Sequence, residues 1–211
     1  MLISHKHKFI TIDIPKTGTR SLRETLLHFD VLDVVGTPNP QDSFYQHGTI
    51  SDCELEFVKR GWNIEEYFKF TIVRNPWDRY YSFFKYLKNY ASLYEAKDKS
   101  IEWNSAEINQ GKLSVSLFHE NSDQQVFKKI ILNNKAQSDF YNSSMDHIAR
   151  FENIQHEFDF LCDKIKLNTM TLKHSNKSTR LADSVYNDEL VDMVADKEMK
   201  VIKLMNFEEP K

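Results

Sequence analysis

The sequence is poor in the features that define several protein classes. It has two cysteines in 211 residues, Cys53 and Cys162, and neither lies in a CxxC pair. This argues against a disulfide framework or a structural zinc site and predicts reduced, buried thiols. No apolar run reaches the roughly 20 residues of a membrane helix. The balance of 28 basic and 31 acidic residues, a formal net charge of −3, argues against a general nucleic-acid binder.

Targeting signals are lacking as well. The first eight residues are polar and basic, and the apolar run that follows is short, so the start of the chain does not read as a signal peptide. We therefore expect a cytoplasmic protein with no membrane partner. Its oligomeric state does not follow from the sequence.

Glycine is scarce, and no repeat, low-complexity tract or Pro/Gly/Ser-rich linker divides the chain, which predicts one domain over residues 1–211. Two segments rich in β-branched and aromatic residues, Phe9–Ile14 and Tyr67–Val73, are each followed by apolar residues at helical spacing. This alternation predicts an α/β fold with a P-loop-like, mostly parallel central sheet flanked by helices. Residues 91–145 are the least regular and are expected to form an insert.

Capping patterns locate further helices. Ser51 with Glu54 and Ser122 with Gln125 each fit a capping box, which predicts a helix start at each place. A last helix is expected over about residues 188–204.

The first motif follows the first predicted strand and reads Pro15-Lys16-Thr17-Gly18-Thr19-Arg20-Ser21. A turn that enters a helix offers unpaired N–H groups and the positive end of the helix dipole to an anion. Lys16 adds a full charge, the hydroxyl side chains add donors, and Gly18 permits close approach of the backbone. Because the lysine precedes the glycine, the run is not a Walker A loop. The pattern predicts an anion-binding loop.

The second motif follows the second predicted strand and reads Arg74-Asn75-Pro76-Trp77-Asp78-Arg79-Tyr80-Tyr81-Ser82. Arg74 is placed at the carboxyl end of a strand, where open α/β sheets bind ligands. Asn75 and Pro76 suit a helix start, and Ser82 lies about two turns further along that helix. An arginine fork and a hydroxyl can share one phosphate. One aromatic stripe of this helix is expected to pack in the core: Trp77, Tyr80, Tyr81 and Phe84.

Together the two motifs resemble the signatures of sulfotransferases that use 3′-phosphoadenosine 5′-phosphosulfate. In that family a Pro-Lys-x-Gly-Thr loop binds the 5′-phosphosulfate, and an Arg-Asn/Asp-Pro run followed by serine binds the 3′-phosphate. Two later runs, Phe151-Glu152-Asn153 and Asn176-Lys177-Ser178, resemble features of the carbohydrate (membrane-type, family 2-like) branch. The resemblance extends from about residue 8 to 207 and is weakest in residues 91–145.

The resemblance implies a role for each matching residue. Lys16 would contact the 5′-phosphate and the bridging oxygen, and Arg74 with Ser82 would hold the 3′-phosphate. Ser178 would close over the cofactor. The remaining cradle residues would be Thr17, Gly18, Thr19, Arg20 and Ser21. The implied reaction moves a sulfuryl group to a hydroxyl by in-line displacement, leaves adenosine 3′,5′-bisphosphate and requires no metal.

A carbohydrate hydroxyl is the expected acceptor, with residues 91–145 forming part of its recognition site. That segment has no basic excess, which argues against a densely sulfated polyanion. Two alternatives stay open: a small-molecule kinase, although the sequence lacks a Walker A loop and an evident Walker B acid, and an inactive nucleotide-binding module of the same fold.

A general base must accept the proton of the acceptor hydroxyl. We expect His47, because it lies in a loop between the two motifs, and His47-Gly48 resembles the loop of the catalytic histidine in uronyl 2-O-sulfotransferases. Glu24 is the alternative base, since some relatives use an acid on the first helix. One departure stands out: many relatives have histidine where this chain has Asp13. A buried acid there needs a partner, and the sequence does not identify it.

Overall fold

The computed structural model describes residues 1–96, 105–172 and 185–210. Within these residues five strands form one sheet: β1 Leu2–Ser4, β2 Phe9–Ile12, β3 Val34–Val35, β4 Phe68–Val73 and β5 His147–Arg150. The α-helices in the same residues are α1 Thr19–His28, α2 Ile50–Arg60, α3 Pro76–Glu95, α4 Ser105–Glu120, α5 Asp123–Asn133, α6 Ile154–Ile165 and α7 Asp188–Met205.

The sheet has the strand order β3-β1-β2-β4-β5 over the described residues. β2 pairs parallel with β4, and β4 pairs parallel with β5, whereas β1 is antiparallel to both of its neighbours. Of these strands only β1 therefore runs in the opposite direction, which confirms the predicted α/β fold with a mostly parallel sheet. Because β2 and β4 are parallel neighbours, the loops that follow them start at the same edge of the sheet.

The chain divides into two compact units. The first, which we call the sheet unit, comprises residues 1–75, 135–177 and 198–207. The second, the helical unit, comprises residues 76–134, 178–197 and 208–211. The expected insert, residues 91–145, is shared between them, and its role in acceptor recognition stays a prediction.

The core of the sheet unit forms where α1 and α6 pack on the sheet. Leu22 and Leu26, one turn apart on α1, are buried with Phe158 and Leu161 of α6 against sheet residues such as Phe70. Each such side chain contributes about 1.5–3 kcal/mol relative to full exposure. This packing fixes the position of α1 and of the loop that enters it.

The helical unit has an aromatic core. Trp77 is buried, its indole N–H donates to the Val191 carbonyl over 3.2 Å, and its own carbonyl accepts from the Tyr186 hydroxyl over 2.7 Å. Phe84 packs against the rings of Phe118 and Phe127. The aromatic residues expected in the core are buried: Trp77, Tyr80, Tyr81 and Phe84. None of the helices in the described ranges is long and apolar enough to cross a membrane.

Two local predictions have opposite outcomes. The Ser122 capping box is confirmed, since its side chain accepts from the Gln125 N–H. The Ser51 capping box is wrong, because α2 begins two residues earlier and its cap is Thr49 with Asp52. Strand β1 is not apparent from the sequence, since three residues are too few to show an alternating pattern.

Candidate active site

The loop between β2 and α1 has an unusual backbone. Lys16 and Gly18 both have positive φ angles, 71° and 81°. The Thr17 side chain is fully buried, and its hydroxyl donates to the Ile14 carbonyl over 2.9 Å, so it shapes the loop from within. Gly18 is the N-cap of α1, and the first turn of that helix has no acidic residue. The loop and the helix start therefore present a positive, uncapped end to an anion.

Gly18 is required at its position for two reasons. Its φ of 81° lies in the left-handed region, which strains any L side chain. A Cβ atom there would also lie 2.6 Å from Phe151 Cε2 and 2.7 Å from Ile154 Cδ1. The loop consequently packs directly on the start of α6 and the Phe151 ring.

Lys16 lies in a positive environment. Burial, together with the smaller effects of the nearby cations Arg74 and Arg20, lowers the pKa of its ammonium group from 10.5 to about 8. An anion bound beside these groups would relieve both the burial penalty and the mutual repulsion. The loop is therefore electrostatically suited to a phosphate or sulfate ester.

Arg74 brings the second motif to the first. It follows β4 directly, is only 8% exposed, and its Nη1 lies 3.4 Å from the Lys16 carbonyl oxygen. Its guanidinium carbon lies 4.5 Å from the centroid of the Phe151 ring, a cation–π contact. Phe151 thus contacts both Gly18 of the first motif and Arg74 of the second.

The residue after Phe151 supports the same strand end. Glu152 Oε1 accepts from the Asn75 N–H over 2.8 Å. The Phe151-Glu152 run, which the resemblance singled out only loosely, therefore contacts two consecutive residues of the second motif.

His47 is held by the strand that precedes the loop. Its Nδ1 lies 2.7 Å from the Asp13 carbonyl oxygen. A carbonyl only accepts, so Nδ1 must carry the proton, and in the neutral ring Nε2 then has the lone pair. Burial lowers the pKa of His47 below 6.5, which favours this neutral form near pH 7. The imidazole has the protonation state that a general base requires.

Asp13 has the partners that the sequence left unidentified. Its carboxylate is almost fully buried and lies 2.8 Å from Arg23 Nη2 and 2.9 Å from the Met1 amino group. The Met1 amino group also donates to the carbonyl of Gln46, the residue before His47. Arg23 therefore supplies a counter-charge to the acid that would otherwise repel an anion in the adjacent loop.

The other predicted site residues make fewer described contacts with Lys16, Arg74 or His47. Arg20 is exposed and pairs with Glu24, 3.4 Å away, and the Glu24 side chain is itself 44% exposed. Thr19 is half-buried and Ser21 is buried at the start of α1. Ser82 is half-buried on α3 in the helical unit, so its proposed role beside Arg74 stays a prediction. Ser178 lies outside the described residues.

Sequence reasoning missed two residues that organise this site. Arg23 pairs with Asp13, and its place on α1, ten residues after Asp13, was the available signal. Gln137 is fully buried and its side-chain amide bonds to both the N–H and the carbonyl of Arg74. No local pattern distinguishes Gln137 from other glutamines.

A parallel βα unit whose first loop offers a lysine and a helix start to an anion is typical of proteins that bind phosphate or sulfate esters. Comparison with protein families narrows this class, because the model described as the sulfotransferase family matches residues 1–205. The chain therefore belongs to the sulfotransferase family. Neither the curated proteins nor the solved structures give a significant match.

Proposed function

We propose that the protein transfers the sulfuryl group of 3′-phosphoadenosine 5′-phosphosulfate to a hydroxyl of a carbohydrate. The observation that carries the proposal is the approach of Arg74 to the Lys16 loop, with Nη1 3.4 Å from the Lys16 carbonyl and Phe151 beneath the guanidinium. A donor with phosphate groups at both the 5′ and 3′ positions needs two neighbouring cationic groups, whereas an ordinary nucleotide needs only one.

The donor would bind through the two motifs. Its 5′-phosphosulfate would lie on the β2–α1 loop, where Lys16 and the N–H groups of the helix start supply positive charge. Its 3′-phosphate would meet Arg74. Ser82 and Ser178 are retained as further contacts on the strength of the resemblance alone.

The transfer would use His47 as base. The acceptor oxygen attacks sulfur while His47 Nε2 accepts the hydroxyl proton, and the bond from sulfur to the bridging oxygen breaks. The electron pair of that bond goes to the 5′-phosphate of the leaving adenosine 3′,5′-bisphosphate. Lys16 would stabilise this developing charge, because fixed donors at a leaving group act mainly in the transition state.

Features beside His47 favour an acceptor without dense negative charge. Tyr45 and Gly48, which flank the histidine, line a cleft of about 390 Å³ that also contains Asp42, Asp52 and Glu56. The cleft's Lys59 is paired with Glu56 over 2.5 Å. Such a lining repels a polysulfated chain, so the proposed acceptor is a neutral or lightly charged carbohydrate.

Nucleotide selectivity tests the donor assignment. Each charge-assisted hydrogen bond to the 3′-phosphate is worth about 1.5–3 kcal/mol, or about ten- to a hundredfold in affinity. Titration calorimetry should therefore show that adenosine 3′,5′-bisphosphate binds more tightly than AMP without Mg²⁺. Equal affinity for the two, or preference for ATP with Mg²⁺, would overturn the assignment in favour of the kinase.

A transfer assay tests the acceptor. With ³⁵S-labelled donor, an uncharged oligosaccharide should accept label more readily than a polysulfated oligosaccharide of the same backbone. The opposite order would contradict the proposed acceptor class. Tight bisphosphate binding without transfer to any hydroxyl acceptor would instead support the inactive module.

A further inference from the structure

The backbone of Arg74 lies just beyond the ordered ladder of the sheet. The pairing of β4 with β5 ends at Val73, which is in register with Arg150. The N–H and carbonyl of the next residue therefore need partners other than a neighbouring strand, because buried backbone polar groups are rarely left unpaired.

Gln137 supplies both partners. Its Oε1 accepts from the Arg74 N–H over 2.8 Å, and its Nε2 donates to the Arg74 carbonyl over 2.9 Å. The side-chain amide thus makes the two hydrogen bonds that a strand neighbour would make, and it extends the support of β4 by one residue.

Gln137 is itself held rigidly. It is fully buried, and its backbone N–H donates to the Glu198 carboxylate, 3.0 Å from Oε2 and 3.3 Å from Oε1. Glu198 lies on α7 and is also fully buried. Glu198 therefore holds the main chain of Gln137, from which the side-chain amide reaches Arg74.

The support of the backbone determines where the Arg74 side chain can reach. The guanidinium lies over Phe151 and its Nη1 is near the Lys16 carbonyl, while the Asn75 N–H is held by Glu152. The N–H groups of a guanidinium bind a phosphate strongly only in the correct orientation. A shift of about 1 Å can therefore remove a large part of the binding free energy.

We propose that Gln137 is a positioning residue, whose amide holds the Arg74 backbone so that the guanidinium meets the donor's 3′-phosphate. The selectivity for 3′-phosphorylated nucleotides then depends on Gln137. This inference rests on the proposed function, in which Arg74 binds that phosphate.

The first test compares two matched variants. Gln137→Met keeps the approximate size of the side chain and removes both hydrogen bonds to Arg74. Gln155→Met is the control, because Gln155 also bonds to two backbone groups of the sheet unit, the Leu172 N–H over 2.8 Å and the Met170 carbonyl over 3.1 Å. Titration calorimetry measures the affinity of each protein for adenosine 3′,5′-bisphosphate and for AMP.

The ratio of the bisphosphate affinity to the AMP affinity is the readout, because a general loss of stability would lower both affinities to the same extent. Gln137→Met should lower the ratio by about tenfold or more, whereas Gln155→Met should keep it. A wild type that prefers the bisphosphate, together with a Gln137→Met ratio within about threefold of it, would overturn the positioning role alone. A wild type without any preference would overturn the proposed function and this inference with it.

Gln137→Glu provides a second test that retains the shape of the side chain. A protonated glutamic acid can accept from the Arg74 N–H and donate to its carbonyl, whereas the ionised form can only accept. Burial and the Glu198 carboxylate should both raise the pKa of this new acid. Its affinity ratio, relative to the wild type at the same pH, should therefore recover as the pH falls from about 7.5 to about 5.5. An equal loss at both pH values would contradict the proposal.

Discussion

The imidazole of His47 donates from Nδ1 to the main-chain carbonyl of Asp13 over 2.7 Å. This contact fixes the tautomer of a half-buried histidine and leaves Nε2 to accept a proton. Asp13 is three residues before Lys16, so the same stretch of backbone holds the proposed base and carries the lysine of the anion loop. The backbone just after β2 therefore fixes the position of the proposed base, His47, relative to the lysine of the proposed donor site, Lys16.

His47→Gln should lower kcat by about a hundredfold, within the range for loss of a general base, and leave bisphosphate affinity nearly unchanged. The neutral ring is the active form, so wild-type kcat/KM should rise as the pH increases through the His47 pKa, which burial places below 6.5. The variant should lose this limb of the pH profile, measured by steady-state transfer of labelled sulfate.

The matched control for this variant is His7→Gln. His7 is also half-buried, and its Nδ1 lies 2.9 Å from a backbone carbonyl, that of Ile165, but it precedes β2. Its substitution should leave the acid limb intact. If bisphosphate affinity drops as much as the rate in His47→Gln, the histidine belongs to the donor site, and Glu24→Gln becomes the variant to examine.

Lys16→Met should reduce kcat by about a hundredfold or more, because the lysine is assigned to charge that develops in the transition state. The protonated lysine is the form that attracts an anion. Bisphosphate affinity should therefore fall as the pH rises through the Lys16 pKa of about 8. Calorimetric titrations over this range measure the effect.

Lys8→Met is the control, since Lys8 precedes β2 and forms an exposed ion pair with Glu66. It should retain both the rate and the alkaline fall in affinity. A Lys16→Met enzyme within a few-fold of the wild-type rate, or one that keeps the alkaline fall, would exclude Lys16 from the assigned role.

Gly18→Ala should destabilise the protein by more than the about 1–2 kcal/mol expected for a left-handed alanine, because its Cβ would also collide with Phe151 and Ile154. It should also weaken bisphosphate binding, since the loop must move away from α6. Urea unfolding and calorimetry measure the two effects.

Gly61→Ala separates backbone strain from collision. Gly61 has a similar φ of 68°, but a Cβ there would have no atom within 4 Å. The Gly61 variant should show only the backbone cost and normal binding. Equal destabilisation of the two variants would contradict the prediction, because it would mean that the Phe151 ring moves away from the new Cβ at little cost.

Asp13→Asn should destabilise the protein by about 3 kcal/mol, because it leaves the Arg23 guanidinium without its buried counter-charge. Glu66→Gln, which breaks the exposed pair with Lys8, should cost much less, because solvent screens an exposed ion pair. Urea unfolding of both variants provides the comparison. Similar losses in the two would show that the Asp13 cluster is no stronger than a surface ion pair.

The α/β class and the family, together with the position of the two motifs after β2 and β4, were predictable from the sequence. Each depends on near neighbours: alternation over four to six residues forms β2 and β4, i, i+4 spacing forms α1 and α6, and the loops must follow their strands. The helix start at Pro76 and the Ser122 cap are likewise local. Strands, helix starts and caps of this kind depend only on residues within about one helical turn or one strand of each other.

The tertiary structure decided which distant groups complete the site. The pairing of Asp13 with Arg23, the tautomer of His47 and the contact of Phe151 with both motifs join residues that are 10, 34 and more than 70 positions apart. Gln137 lies 63 positions from Arg74. Many basic residues could have paired with Asp13, and many glutamines could have capped a strand, because charge and hydrogen-bonding capacity do not specify a partner. The packing of α1 and α6 on the sheet buries apolar surface without regard to these polar groups, and it thereby places Arg23 beside Asp13 and Phe151 beside Gly18.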